Sequence, residues 1–281
     1  MTERLIDLHA HTTASDGLLT PSALVARAVD VGLAAIAVTD HDTAAGVREL
    51  RAGPEGPPAD LEVIAGIEIS AYVDVGDRDL HALGYFIDPF APALLRYEEE
   101  RRALRTARLH AIIALLRAAS IDITVDEVLA QPGGDSAPGR PHIARVLIAK
   151  GYASSMSDVF KRVLGKGGPG YVPIEKPEAA EAVRLIRESG GLAVIAHPGL
   201  DDLDLALDAL VEKGMSGIEV FHPDHDAAAR ERYHAYARRR GLLVTGGSDY
   251  HGDGRKDGGA LGGTPLAPEH LEALRRAAGR A

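Results

Sequence analysis

Seven short apolar runs recur along the 281-residue chain, and most of them stop at a histidine or an acid. They are Leu5–Leu8, Leu33–Thr39, Leu61–Ile69, Asp79–Phe86, Leu192–Ala196, Gly217–Phe221 and Leu242–Thr245. Helical stretches lie between most of them. Thr20-Pro21 is a helix start, with Thr as cap and Pro in the first turn, and Gly32 is its stop. A continuous apolar run such as Leu33–Thr39 suits a strand covered on both faces. Strands alternating with helices specify an α/β domain. Polar groups gathered at strand ends fit a β/α barrel, whose chemistry sits on the rim at the carboxyl ends of its strands. Seven candidate strands rather than eight point to a distorted (β/α)7 TIM-like barrel.

The rhythm breaks at Pro89–Pro92. Ala93–Ala119 reads as one long amphipathic helix, with Leu104, Ala107, Ala111 and Leu115 on its apolar stripe. Ile121–Leu129, Pro141–Lys150 and Ser157–Val163 read as shorter helices, and Leu203–Lys213 as another after the fifth run. The expected organisation is a barrel from residues 1–88 and 177–281 with a helical insertion, a substrate cap, at 89–176. Between Ser136 and Lys176 there are seven Lys or Arg against two acids, which suits an anionic substrate.

Composition removes several classes. A formal net charge of −10 argues against a protein that coats nucleic acid. With no cysteine, disulfides and thiolate metal sites are impossible, so any metal is held by His, Asp and Glu. No secretory leader and no bilayer-spanning stretch is evident, so a cytoplasmic protein without membrane contact is expected. No obligate protein partner is evident either.

Candidate ligands follow from position. His9 and His11 stand two residues apart at the end of the first run, and on a strand they face the same side. Asp16, His41, Glu68, His81, His197, Asp249 and His251 complete a set of nine. Imidazole with carboxylate suits a borderline divalent ion such as Mn²⁺, Fe²⁺ or Zn²⁺. Nine groups exceed the needs of one ion. A carboxylate can bridge cations, and metals about 3.5–4 Å apart form a clamp for phosphoryl chemistry. Two or three ions are expected.

The motifs DLHAHTTASDG, VTDHD, GIEIS, LHALGYF, IAHPG and GGSDYHG, in that order, resemble the polymerase and histidinol phosphatase (PHP) superfamily. GRPHIARVL at Gly139–Leu147 resembles its stand-alone nucleotide phosphoesterases, the 3′,5′-nucleoside bisphosphate phosphatases and a 5′-to-3′ exoribonuclease. The resemblance implies a distorted seven-stranded barrel and a trinuclear centre. It implies His9, His11, Glu68 and Asp249 around one ion, and Glu68, His81 and His197 around a second. It implies Asp16, His41 and His251 around a third. This chain has Leu200-Asp201-Asp202 where such proteins often carry an arginine.

The expected reaction is in-line attack on phosphorus by a hydroxide bridging the ions. His222, His251 and Asp249 are the candidate catalytic groups. Arg140, His142 and His222 are candidates for substrate contact, Arg140 because its planar fork matches phosphate. Asp40 and Asp42 are candidates for orienting His41, and Glu219 is open between a loop contact and the site. His110, His225, His234 and His270 are expected on the surface or in packing. The expected substrate is a small phosphorylated nucleotide, a 3′,5′-bisphosphate such as pAp or a monophosphate such as AMP. Short 5′-phosphorylated RNA is the second reading, histidinol phosphate the third, and a metal-stabilised scaffold the non-enzymatic one. Ser248 lacks a nucleophile-elbow sequence, and no phosphate-binding P-loop is present.

Overall fold

The computed structural model describes residues 5–53, 58–133, 138–253, 259–264 and 266–280. Among the described residues seven strands form one sheet in sequence order. They are β1 (Leu5–Ala10), β2 (Leu33–Val38), β3 (Glu62–Val73), β4 (Arg78–Tyr85), β5 (Leu192–Ile195), β6 (Gly217–Phe221) and β7 (Leu243–Gly246). Among the described residues the helices are α1 (Pro21–Asp30), α2 (Ala45–Ala52), α3 (Pro92–Ala118), α4 (Val125–Leu129) and α5 (Arg140–Ala149). Then come α6 (Met156–Val159), α7 (Ala179–Glu188), α8 (Leu207–Glu212), α9 (Ala227–Arg240) and α10 (Pro268–Ala277). A π-helical turn, Phe160–Leu164, follows α6 directly.

The sheet is parallel except at β4, which runs antiparallel to both β3 and β5. β3 pairs with β2 only as far as Ala65, then continues to Val73 as one arm of a hairpin with β4. Strict β/α alternation therefore fails there. The sheet does not close as an ideal barrel would. β1 and the segment after β7 meet at a single bridge, Ala10–Tyr250, rather than along a ladder. Asp7 strengthens that junction by accepting the Ser248 and Gly262 amides, each at 2.8 Å.

Alternate residues of β2 pack on opposite faces, as the period of a strand requires. Ile36 and Val38 join a cluster with Leu24, Val183, Ile186 and Leu210 from the helices. Ala35 and Ala37 join another with Ile6, Leu8, Tyr85, Val194 and the α10 residues Leu271 and Leu274. The segment from α3 to the π-helical turn has its own cluster, with Leu109, Leu116, Ile143, Leu147 and Leu164.

The helix expected over Ala93–Ala119 forms as α3, but its apolar stripe does not bury. Leu104, Ala107, Ala111 and Leu115 are not in the core, and Leu94, Arg101, Leu109, Ile112, Ile113 and Leu116 are buried instead. Both sets have helical spacing, so periodicity alone cannot rank them. The buried face includes an arginine, which a hydrophobic pattern discards. The helix expected from Leu203 also starts late, because α8 begins only at Leu207. The helix expected at Ile121 starts at Val125, behind the Thr124–Glu127 capping box.

One buried ion-pair group ties α3 to the rim. Asp42, in the left-handed region at φ 55°, accepts from the Ser70 amide at 2.9 Å and the Tyr97 hydroxyl at 2.7 Å. It also binds Arg105, with Arg101 3.8 Å away. Burial pushes the Asp42 carboxyl up, but the two guanidiniums outweigh that and hold it at about 2. A carboxyl depressed in the folded state adds stability above its unfolded pKa, and this is lost as pH falls through the folded one. Asp42→Asn, which tolerates the positive φ, is expected to cost about 2 kcal/mol at pH 7. The melting-temperature gap to wild type should shrink between pH 4 and pH 2. A gap that stays constant with pH excludes the charge as its source.

No helix among the described residues is long and apolar enough to cross a membrane.

Candidate metal centre

The parallel strands and the loops after them deliver the ligands. His9 lies on β1 and His11 just past its end, with ring centroids 5.2 Å apart. His41 follows β2, and its backbone bridges Glu68 on β3. His81 is the fourth of the eight residues of β4, not at a strand end. It reaches the same rim because β4 runs backwards. His197 lies two residues beyond β5. The loop after β7 supplies Asp249, at φ 53°, and His251. That loop passes so close to β1 that a Cβ at Gly247 would stand 2.4 Å from the His9 amide nitrogen. Only glycine fits there.

Glu68 is the centre of the group. Its Oε2 lies 3.4 Å from His9 Nε2, 3.3 Å from His11 Nε2 and 3.0 Å from His41 Nδ1. Its Oε1 lies 3.3 Å from His81 Nδ1 and 3.1 Å from His197 Nε2. Asp249 Oδ1 lies 3.2 Å from His9 Nε2 and 3.1 Å from His11 Nε2. Asp16 Oδ1 lies 3.4 Å from His251 Nε2 and 4.0 Å from His41 Nε2. The ligand atoms fall into three overlapping groups, each within 4.8 Å: His9, His11, Glu68 and Asp249; Glu68, His81 and His197; His11, Asp16, His41 and His251. All nine candidate ligands are thus brought together, and His11 touches two groups. Buried His9 Nε2, His11 Nε2, Glu68 Oε2 and Asp249 Oδ1 face the cluster without hydrogen-bond geometry. Imidazole and carboxylate atoms that converge without bonding one another fit a divalent cation between them.

Residues around the group set its ring orientations. Glu219 accepts the His9 Nδ1–H at 3.0 Å and the His197 amide at 2.9 Å, which leaves His9 Nε2 facing the cluster. Glu219 thus joins the site through its direct contact with His9. The Asp249 carbonyl accepts the His251 Nδ1–H at 2.8 Å. Asp40 accepts the Thr12 amide and the Thr12 and Ser15 hydroxyls, so it fixes the loop after β1 rather than His41. Asp42 is used up by α3. His225 is buried, donating to the Val220 carbonyl and accepting the Gly199 amide. His110 is exposed, and His234 and His270 are half-buried.

Electrostatics follow the crowding. Burial pushes His9, His11 and His197 down, but adjoining carboxylates more than reverse it. His11 is raised to about 9 beside Asp249 and Glu68. His41 falls to about 3 through burial, with His11 and His81 adding to the fall against the pull of Glu68 and Asp16. Burial opposes ionisation of Glu68, Asp249 and Asp16, yet the imidazoles hold all three well below the ordinary range.

A cleft of about 180 Å³ opens beside the group. Asp16, His41 and His81 form part of its wall, with Arg101, Arg105, Arg108, Arg140 and Lys176 also lining it. Arg108 is pulled to about 10 by burial and the nearby Arg140, and the Arg140 guanidinium lies 5.2 Å from the Phe160 ring centre. Three of the five cations come from α3, which sequence reasoning missed. They are interleaved with helix-forming residues and carry no motif. Of the insertion's basic residues from Ser136 onward, only Arg140 and Lys176 line this cleft. Lys150 pairs with Glu127, and Arg162 with Asp158. His142 lines the cleft, but its Nδ1 accepts the Gly139 amide and caps α5. His222 is fully buried. Its Nδ1 accepts the Asp224 amide at 3.2 Å, which puts its proton on Nε2, 3.7 Å from Asp249 Oδ2.

An α/β sheet with three overlapping His/carboxylate groups beside an arginine-lined cleft defines a metal-binding protein that accepts anions. The sequence profile of the PHP domain matches residues 7–161, and the chain belongs to the PHP domain family. The 5′-3′ exoribonuclease Rnm of Escherichia coli K12 is 38% identical over 88% of this chain and 85% of that protein. A phosphoribosyl 1,2-cyclic phosphate 1,2-diphosphodiesterase of Eggerthella lenta is also 38% identical, over 88% and 94%. A 3′,5′-nucleoside bisphosphate phosphatase of Chromobacterium violaceum is 35% identical over 90% of each chain. A crystal structure from Bifidobacterium adolescentis, described as that of a "putative metal-dependent phosphoesterase", superposes with a TM-score of 0.85 at 34% identity over 98% of this chain and 96% of that one.

Metal must compete with the protons held at His9, His11 and His197. Mn²⁺ binding at pH 7 is therefore expected to release protons and to strengthen as pH rises towards 9. Calorimetry in buffers of different ionisation enthalpy reads the proton count, and no release would contradict the charge state assigned to the metal-free cluster. Glu219→Gln is expected to weaken Mn²⁺ affinity by about 10–100-fold through His9. Unchanged affinity would remove Glu219 from that role.

Proposed function

We propose that this chain is a metal-dependent phosphoesterase that removes a phosphate from a small nucleotide, a 3′,5′-bisphosphate first and a monophosphate such as AMP second. The observation that carries this reading is Glu68, reached by five imidazoles, next to a cleft lined by five cations. His9, His11, Glu68 and Asp249 would hold one divalent ion, Glu68, His81 and His197 a second, and Asp16, His41 and His251 a third. When bound, such ions offset charge on phosphoryl oxygens and lower the pKa of an attacking water.

The chain's own groups do the rest. Arg140 and Arg108 hold a second anionic group of the substrate away from the cluster. Both line the cleft, Arg140 against the Phe160 ring and Arg108 donating to the Val172 carbonyl, and neither contact neutralises the guanidinium. Arg105 and Arg101 are committed partly to Asp42 and add positive potential. His251 has Nδ1 on the Asp249 carbonyl and Nε2 towards Asp16, whereas His222 keeps an Nε2–H that faces Asp249 with no hydrogen-bond partner, so His222 has the proton to donate. Residues 89–176 act as the cap that carries these arginines over the rim, supported by their separate apolar cluster and the Asp42–Arg105 tie.

A second reading, 5′-to-3′ exonuclease action on short 5′-phosphorylated RNA, has one structural point in its favour. Arg101, Arg105 and His41 also line an adjoining cavity of about 540 Å³, where more of a strand could lie. Glu98 and Glu99 share that cavity, and Arg48 is paired with Glu98, which lowers its attraction for phosphates.

Phosphate release from pAp, AMP, histidinol phosphate and a 5′-phosphorylated RNA with Mn²⁺ separates the readings. Fastest turnover of pAp is expected; preference for the RNA would favour the second. His11→Ala is expected to lose bound metal and turnover together, and full turnover in that variant rejects the centre. Arg140→Ala is expected to raise KM about tenfold with little change in kcat, the scale of one charge-assisted hydrogen bond. An unchanged KM takes Arg140 out of substrate binding.

A further inference from the structure

The turn after β5 carries Leu200-Asp201-Asp202, and its two acids do different things. Asp202 Oδ2 pairs with Arg78 at 2.8 Å on the surface. Asp201 turns inward, with Oδ2 3.2 Å from His197 Nδ1. The turn makes this possible. The Leu200 amide bonds the His197 carbonyl at 2.9 Å and the Leu203 amide bonds the Pro198 carbonyl at 3.0 Å. Residues 197 and 201 then face each other like an i,i+4 pair on a helix. His197 is almost fully buried and Asp201 is about one-fifth exposed, so solvent screens the contact weakly.

The three ligand groups are not equal in charge. The group of His9 and His11 has two carboxylates, Glu68 and Asp249. The group of His11, His41 and His251 has Asp16 to itself. The group of His81 and His197 has only Glu68, which it shares. It also has the fewest side chains, and so the least claim on a cation. Asp201 stands directly behind one of its two imidazoles.

We propose that Asp201 is a positioning residue for the cation held by Glu68, His81 and His197. Its carboxylate stands beside Nδ1 of His197 while Nε2 faces Glu68, and it supplies from outside the ligand set the negative charge that this group lacks. The inference rests on the reading that ions occupy the rim. It makes this ion the one most dependent on a residue that does not touch it.

The test uses full-length protein loaded with Mn²⁺, with metal content measured after dialysis and affinity by calorimetry. Asp201→Ala is expected to retain one ion fewer than wild type, with the affinity of that ion lowered about 10–100-fold. Asp201→Asn, which keeps an acceptor oxygen but no charge, should fall between the two. Asp202→Asn, which removes the neighbouring charge and tolerates its positive φ of 53°, should match wild type. Loss of the His197–Asp201 pair lowers the melting temperature of metal-free Asp201→Ala, so binding is compared at a temperature where both proteins are folded. Wild-type stoichiometry and affinity in Asp201→Ala overturn the proposal, as does an equal loss in Asp202→Asn. Wild-type protein that binds no Mn²⁺ removes the metal reading itself, and this inference with it.

Discussion

A buried carboxylate surrounded by imidazoles is the constraint on which the rest of this molecule depends. Glu68 has almost no exposed surface, and five histidine nitrogens approach it within 3.4 Å. Burial alone would drive such a carboxyl to its neutral form. It stays ionised only because positive charge stands nearby, as protons on histidines or as cations in their place. Five strands or their loops must therefore arrive at one point in fixed order. The reversed β4 is part of this arrangement, since its antiparallel run past the end of β3 delivers His81 to the rim.

Charge is distributed in layers outward from Glu68. Carboxylates and imidazoles form the centre. Glu219 and Asp201 stand behind His9 and His197. Arginines from α3 and α5 line the cleft, on a protein whose formal net charge is −10. An acidic chain can thus offer an anion a strongly positive entrance. Asp42 connects the layers, because the carboxylate that fixes Arg105 sits one residue from His41. Its pKa is depressed by the two guanidiniums that α3 brings to it.

Much of the site was legible in sequence because strand ends mark positions. A histidine or acid that follows an apolar run falls on the rim in any fold of this type, so His9, His11, His41, His197, Asp249 and His251 could be named before their meeting was visible. The motifs narrowed the family further. The arginines of α3 were not legible. They recur at helical spacing among residues with the same propensity, and the exposed stripe Leu104, Ala107, Ala111 and Leu115 looked the better core. What buries a helix face is the shape of its partner, which no local pattern contains.

Seven strands, the family resemblance and nine candidate ligand side chains were readable from the residues alone, because each depends on local period and residue chemistry. Tertiary structure decided the direction of β4, the incomplete joining of β1 to the segment after β7, and the face that α3 buries. It also decided the partners of Glu219, Asp201 and His142. Most of these are relations between segments far apart in the chain, and they are fixed by close packing and by the need to pair buried charge.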